Sequence, residues 1–226
     1  SGAYLDMEDF FRLEGLAYRL VPLKASQEGM FGEPVGCDTD IMYNKIMNQF
    51  VWGGLDDTTK NIYMDENNLR FTTNQRLQMM TLAKLLNDEG KGQKAVQVLD
   101  KCLAVMPEKH VPYEPAMVYM VQGYFTAGAA DKGKKLSRQL FDMCEEEYVF
   151  YKGLNDKRGD YKSDVNRLQS AMQMLAQYAG DYGHTDMMTE FDGRLGKLGI
   201  QSPNQFRQQK PKLPFDTLLE KLRTET

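Results

Sequence analysis

The stretch Arg76–Glu108, RLQMMTLAKLLNDEGKGQKAVQVLDKCLAVMPE, decides the fold. Met79, Leu82, Ala83 and Leu86 line one helical face, and Ala95 and Leu99 line a second. Ala83 and Ala95 are small where two helices must approach closely, while Leu82, Leu86 and Leu99 supply the facing ridges. Asn87–Gly92 is the break between them, and Gly90 can adopt the positive φ that closes a helix. Pro107 stops the second helix at its predecessor. The expectation is a hairpin of two antiparallel helices. Cys102 falls on the packed face of the second helix and reads as a small buried hydrophobe.

Those spacings resemble one tetratricopeptide unit, a helical pair of about 34 residues with the skeleton W-x2-L-G-x2-Y, A-x3-F, P. Here aliphatic residues occupy the aromatic slots. Downstream, Glu114–Thr126 and Asp131–Glu147 read as a second hairpin turning at Gly128, with Gly133 in place of the small alanine and Ser137 where a bulky residue is expected. Val165–Ala179 and Asp186–Leu198 read as a third, turning at Gly183, after an insert at Tyr148–Asp164. Three stacked units are about the minimum that buries a continuous core. The fold class expected is therefore mostly α: an irregular tetratricopeptide-like array of about three helical hairpins.

The array is expected over residues 76–200, with an N-terminal cap region at 3–75 and a Pro-rich tail at 201–226 ending in a short helix at Phe215–Leu222. Within the cap, Gly15–Pro22 alternates as a short extended segment, and 25–37 reads as a loop because glycine and proline interrupt it repeatedly. Asp38 or Thr39 caps a helix with Ile41, Ile46, Met47 and Phe50 on one stripe, and Gly53-Gly54 ends it. A new helix is expected to start at Asp65.

The chain has 226 residues, 42% of them hydrophobic, and a net charge of −4. That is enough for a core, and the charge disfavours nucleic acid as the main partner. No apolar run approaches the roughly 18 residues that cross a bilayer. Ser1-Gly2 reads as the remnant of a cleaved tag, so the sequence is expected to be part of something longer. The three cysteines have no CxxC spacing. Gly128–Lys135 imitates a phosphate-binding loop but lacks the terminal Ser or Thr and follows a helix rather than a strand, so it reads as an inter-helix turn. His110 and His184 read as turn or surface residues, and no HExxH is present for zinc. No metal or other cofactor is called for.

The richest polar cluster is Asp38, Asp40, Asp65, Glu66, Asn67 and Arg70, with Tyr43 and Trp52 close in sequence. Tyr43 and Trp52 offer flat apolar platforms, and Asp65, Glu66 and Arg70 offer polar groups, so these five are the candidate ligand-binding residues, with glycan as the ligand class. The simpler reading makes Asp38 and Asp65 helix caps and Glu66–Arg70 a surface pair, with Trp52 a core anchor. No residue qualifies as a catalytic candidate.

RLEGLAYRLVP, CDTDIMYNKIMNQFVWGG, IYMDENNLR and KAVQVLDKCLAVMPE, in that order, resemble the C-terminal soluble part of a Bacteroidetes membrane-protein family of unknown function. The N-terminal part of that family is similar to protein O-mannosyltransferases. The resemblance implies a domain on the periplasmic side of the inner membrane, attached to a multi-spanning glycosyltransferase-like protein. Stacked hairpins form a concave face, so the partner expected is a protein, a peptide or the membrane portion of the same chain. Asp57-Thr58-Thr59 and Asp216-Thr217-Leu218 resemble the Asp-Thr-X sites that such bacteria O-glycosylate. The function expected is a non-catalytic interaction domain, with glycan binding or an accessory catalytic role around Trp52, Asp65 and Glu66 as the alternative.

Overall fold

The structure is a computed structural model that describes residues 7–15, 17–30 and 34–205. The expected helix at Phe215–Leu222 and the Asp216-Thr217-Leu218 motif lie outside those residues. The chain divides into two compact units, Ser1–Met143 and Cys144–Thr226.

In the first unit, four short strands precede the helices: β1 (Phe11–Leu13), β2 (Tyr18–Leu20), β3 (Gln27–Glu28) and β4 (Pro34–Cys37). They form one sheet in the order β2-β1-β4-β3. β1 pairs antiparallel with β2, Phe11 opposite Leu20 and Leu13 opposite Tyr18, and parallel with β4, Leu13 opposite Cys37. Within the alternating Gly15–Pro22 segment, Tyr18–Leu20 is thus an edge strand. The segment 25–37 holds two strands rather than a loop alone: its turn residues punctuate β3 and β4 without abolishing them.

α1 (Thr39–Asn44) is capped by Asp38, whose carboxylate accepts from Ile41 N at 2.9 Å, and it widens into a π turn at Lys45–Gln49. Its inward residues are Met42 and Ile46, both fully buried, whereas Ile41 is 40% exposed. Ile46 of the expected stripe is thus buried, with Met42, expected beside the stripe, as its inward neighbour four residues earlier, and only Ile41 departs from it. The helical turns also end at Gln49, before Gly53-Gly54, which sit in a later turn with φ of 62° and 78°.

α2 (Glu66–Asp88) and α3 (Gly92–Val105) form the first hairpin. Asp65 caps α2 by accepting from Asn68 N at 2.7 Å. The helix runs through the expected 75/76 boundary, so nearly three turns of it precede the repeat read from sequence. Met79, Leu82, Ala83, Leu86, Ala95, Leu99 and Cys102 are all buried, as the hairpin reading requires. α4 (Val118–Thr126) follows a 3-10 turn at Pro115–Met117 and packs on both helices of the first hairpin. Tyr124 and Lys132 both bond to Asp100 of α3, at 3.0 and 2.6 Å.

α5 (Ala130–Arg158) is the partner of α4 and crosses the division between the units. Its first turn passes the Phe125 ring so closely that a Cβ on Gly133 would collide with it. The glycine that looked like a degenerate alanine slot is thus a requirement of the helix contact. The Tyr148–Asp164 insert is mostly a continuation of α5, because Tyr148 stays buried and the chain meets no positive-φ glycine until Gly159.

The second unit contains the end of α5, then α6 (Lys162–Asp181) and α7 (Thr185–Lys197) as the third hairpin. Leu168, Met172, Leu175, Met187, Phe191 and Leu195 are fully buried. Buried Asn204 donates to Ala176 O at 2.9 Å and Asp192 at 3.0 Å, tying the chain after α7 back onto the hairpin. All three hairpins turn identically. Gly90, Gly128 and Gly183 have φ of 74–78°, and the next residue donates to the carbonyl five back: Lys91 to Leu86, Ala129 to Tyr124 and His184 to Ala179, at 2.7 to 2.9 Å. This is the Schellman closure.

Candidate functional site

The segment between α1 and α2 is irregular but anchored. Phe50 leaves the π turn in an extended conformation (φ −74°, ψ 138°). In extended chain, successive side chains point to opposite sides. Phe50 and Trp52 accordingly turn inward, ring edge to face at 6.2 Å, while Val51 between them is 93% exposed. The same alternation recurs at Ile62-Tyr63-Met64, where Tyr63 is 89% exposed. Phe50, Trp52, Leu55, Ile62 and Met64, with Thr72 and Gln75 of α2, enclose a groove of about 460 Å³. Phe50 is set in place by the β1–β2 turn: Gly15 has φ 83°, and a Cβ there would lie 2.5 Å from the Phe50 ring.

Two buried basic side chains hold the surroundings. Arg76, only 1% exposed, donates to Met106 O at 3.2 Å, Val111 O at 2.9 Å and Pro112 O at 3.0 Å. Its guanidinium also lies 5.8 Å from the Tyr113 ring. It thereby ties the segment after α3 to the middle of α2. From that segment His110, 4% exposed, puts Nδ1 2.7 Å from Leu55 O and Nε2 3.0 Å from Lys60 O. Lys109 donates to Thr58 O at 2.7 Å. His110 lies in a turn, as expected, and is buried there rather than at the surface. Within the 55–60 loop, Asp57 accepts from both the hydroxyl and the backbone N–H of Thr59 and pairs with Lys60, so its carboxyl is held down at about 2. Thr58 of the Asp57-Thr58-Thr59 motif is exposed.

Of the five residues expected to bind ligand, Trp52 alone lines the groove. Tyr43 donates to Gln97 on α3 and lies under Lys94, whose Nζ is 5.1 Å from the ring centroid. Asp65 is the cap of α2, Glu66 is exposed in its first turn, and Arg70 bonds Asn67 at 3.3 Å. The wider polar cluster separates likewise: Asp40 pairs with Lys91 and Lys94 at 3.0 and 2.7 Å, pinning α1 to the first hairpin turn. Sequence proximity had gathered groups that three different elements carry apart. The groove's other walls gave little signal, because two extended triplets are too short to reveal which residues face in. The one available cue was that both parities of Phe50-Val51-Trp52 and Ile62-Tyr63-Met64 are apolar.

The cysteines Cys37, Cys102 and Cys144 are free and buried, and burial pushes each thiol up to about 12. Among the described residues no group of three or more His, Cys, Asp and Glu is arranged to hold a metal ion. Among them, too, no helix is long and apolar enough to cross a membrane. Gly128–Lys135 is the turn and first helical turns between α4 and α5. Comparison with protein-family models, curated proteins and solved structures returned no match.

Proposed function

We propose that this chain is a non-catalytic docking domain, and that its groove at Trp52 receives an apolar segment of a protein partner. The observation that carries this reading is the outward pair, Val51 at 93% and Tyr63 at 89% exposure, flanking a concave apolar groove. Burying two such side chains on a partner contributes about 1.5–3 kcal/mol each, and aromatic anchors beside a pocket dominate many interfaces. Apolar groups scattered singly need no explanation, but a groove bordered by two of them fits an interaction site. The sequence resemblance adds the setting: a periplasmic domain attached to a glycosyltransferase-like membrane protein, whose own membrane portion is a partner of the right kind.

The test compares the wild-type domain with the Val51→Asp, Tyr63→Asp double variant on membrane extract and on a glycan array. Capture of a defined protein by the wild type and its loss in the double variant supports docking. Binding of glycan, abolished by Trp52→Ala and indifferent to Val51 and Tyr63, overturns it in favour of sugar recognition.

A further inference from the structure

His110 makes a demand that a neutral imidazole does not meet. Each ring nitrogen faces a backbone carbonyl, Leu55 O at 2.7 Å and Lys60 O at 3.0 Å. A carbonyl oxygen only accepts, and neutral imidazole has one N–H, so one of the two contacts then sets a nitrogen lone pair against an oxygen. Only the imidazolium donates to both. The ring is also buried, so water does not readily take the place of the missing donor. Leu55 lines the groove, and Lys60 lies two residues before Ile62, which lines it too. The contact that depends on a proton therefore spans the loop that forms one wall of the groove.

We propose that His110 is a proton-operated latch on this wall. As the imidazolium it donates to both carbonyls and holds the 55–60 loop closed against the segment after α3. As the neutral ring it keeps one of them, and the loop loosens. The latch is independent of any partner, but its use as a regulator of docking rests on the function proposed above. Charged groups of both signs stand on the elements around it. On the loop stand Asp56, Asp57 and Lys60, the last two paired at 2.9 Å. On its own segment stand Glu108 and Lys109, and from α2 Arg76 reaches Val111 O and Pro112 O. Lys109 bonds Thr58 O and so keeps one tie to the loop whatever the state of the histidine. The sign follows from the donor count: the double contact belongs to the protonated ring and is lost when that proton leaves, so it is an acid-side contact.

The experiment uses the whole chain without partner. It holds two histidines and one tryptophan, so nitrogen NMR of labelled histidine, assigned with His184→Gln, reads His110 directly, and Trp52 emission reads the groove. At the acid end of a pH series both ring nitrogens of His110 should carry protons. Raising the pH should remove one, shift Trp52 emission with the same midpoint, and speed amide exchange at residues 55–60 by roughly three- to tenfold, the worth of one hydrogen bond. His184→Gln should keep that emission change and His110→Asn should abolish it. A bare ring nitrogen on His110 at every pH at which the chain stays folded, or Trp52 emission and loop exchange that ignore the titration, overturns the latch. The wild-type spectra decide the matter even if His110→Asn fails to fold. Failure of docking alone leaves these partner-free signals intact.

Discussion

Replacing Arg76 with methionine should be among the most damaging single changes in the first unit. The side chain is 1% exposed and satisfies three carbonyls, Met106 O, Val111 O and Pro112 O, at 2.9 to 3.2 Å. Methionine fills much of the same space but donates nothing, so Met106 O and Val111 O lose their donor in buried bonds and Pro112 O loses one in a part-buried bond. A stranded buried polar group costs about 1–3 kcal/mol. Three would sum to about 3–9 kcal/mol, a large share of the roughly 5–15 kcal/mol typical of a folded domain, but two effects reduce the sum. Removing a buried cation recovers desolvation energy, and Nε, which has no partner, ceases to be a penalty. The net expectation is a loss of about 2–4 kcal/mol. Arg76→Lys keeps the charge, yet one ammonium does not span three carbonyls, so it should fall between methionine and wild type. Urea unfolding followed by Trp52 emission measures the same unit. At a slope of about 2 kcal/mol per molar urea, the Arg76→Met midpoint should drop by about 1–2 M. A midpoint unchanged from wild type would refute the reasoning and make Arg76 a mere filler of volume.

Two glycines inside α5 should respond oppositely to alanine. Gly133→Ala drives a methyl into the Phe125 ring and should cost about 1–3 kcal/mol, whereas Gly153→Ala meets nothing within 4 Å and should stabilise by about 0.5–1 kcal/mol; thermal melts by circular dichroism distinguish them. The three buried thiols should be silent to a thiol reagent at about pH 8 and all react in denaturant, because burial holds each up at about 12. Their raised values also set a sign: the stability they contribute is complete below the free thiol's range near about 8.5 and is lost as pH rises from there towards about 12. Equilibrium unfolding at alkaline pH checks it.

The hairpins were legible because their physics is local. A small residue at the crossing, aliphatic ridges three and four apart, and one glycine at the turn recur at Ala83, Ala95 and Gly90, and the other two turns follow at Gly128 and Gly183. Caps were legible for the same reason: Asp38 and Asp65 each sit three residues before the N–H they accept. What sequence hid was long-range. Arg76 reads as the polar start of a repeat, and only the return of the 106–113 segment makes it a buried clasp. His110 reads as a turn histidine until the 55–60 loop folds over it. The expected Glu66–Arg70 pair is replaced by Arg70–Asn67, which a surface helix allows at almost no energetic difference. The candidate site failed to gather for a related reason, since Tyr43 was claimed by α3 and Asp65 by its own helix.

The most direct test of the docking account is a photo-crosslinker at Val51 in the cell that makes the protein, with the same group at exposed Ser170 of α6 as reference. The account predicts one discrete adduct from Val51 that disappears when Tyr63 is also changed to aspartate, and no such adduct from Ser170. Equal, diffuse labelling from both positions, or none from Val51, would contradict it.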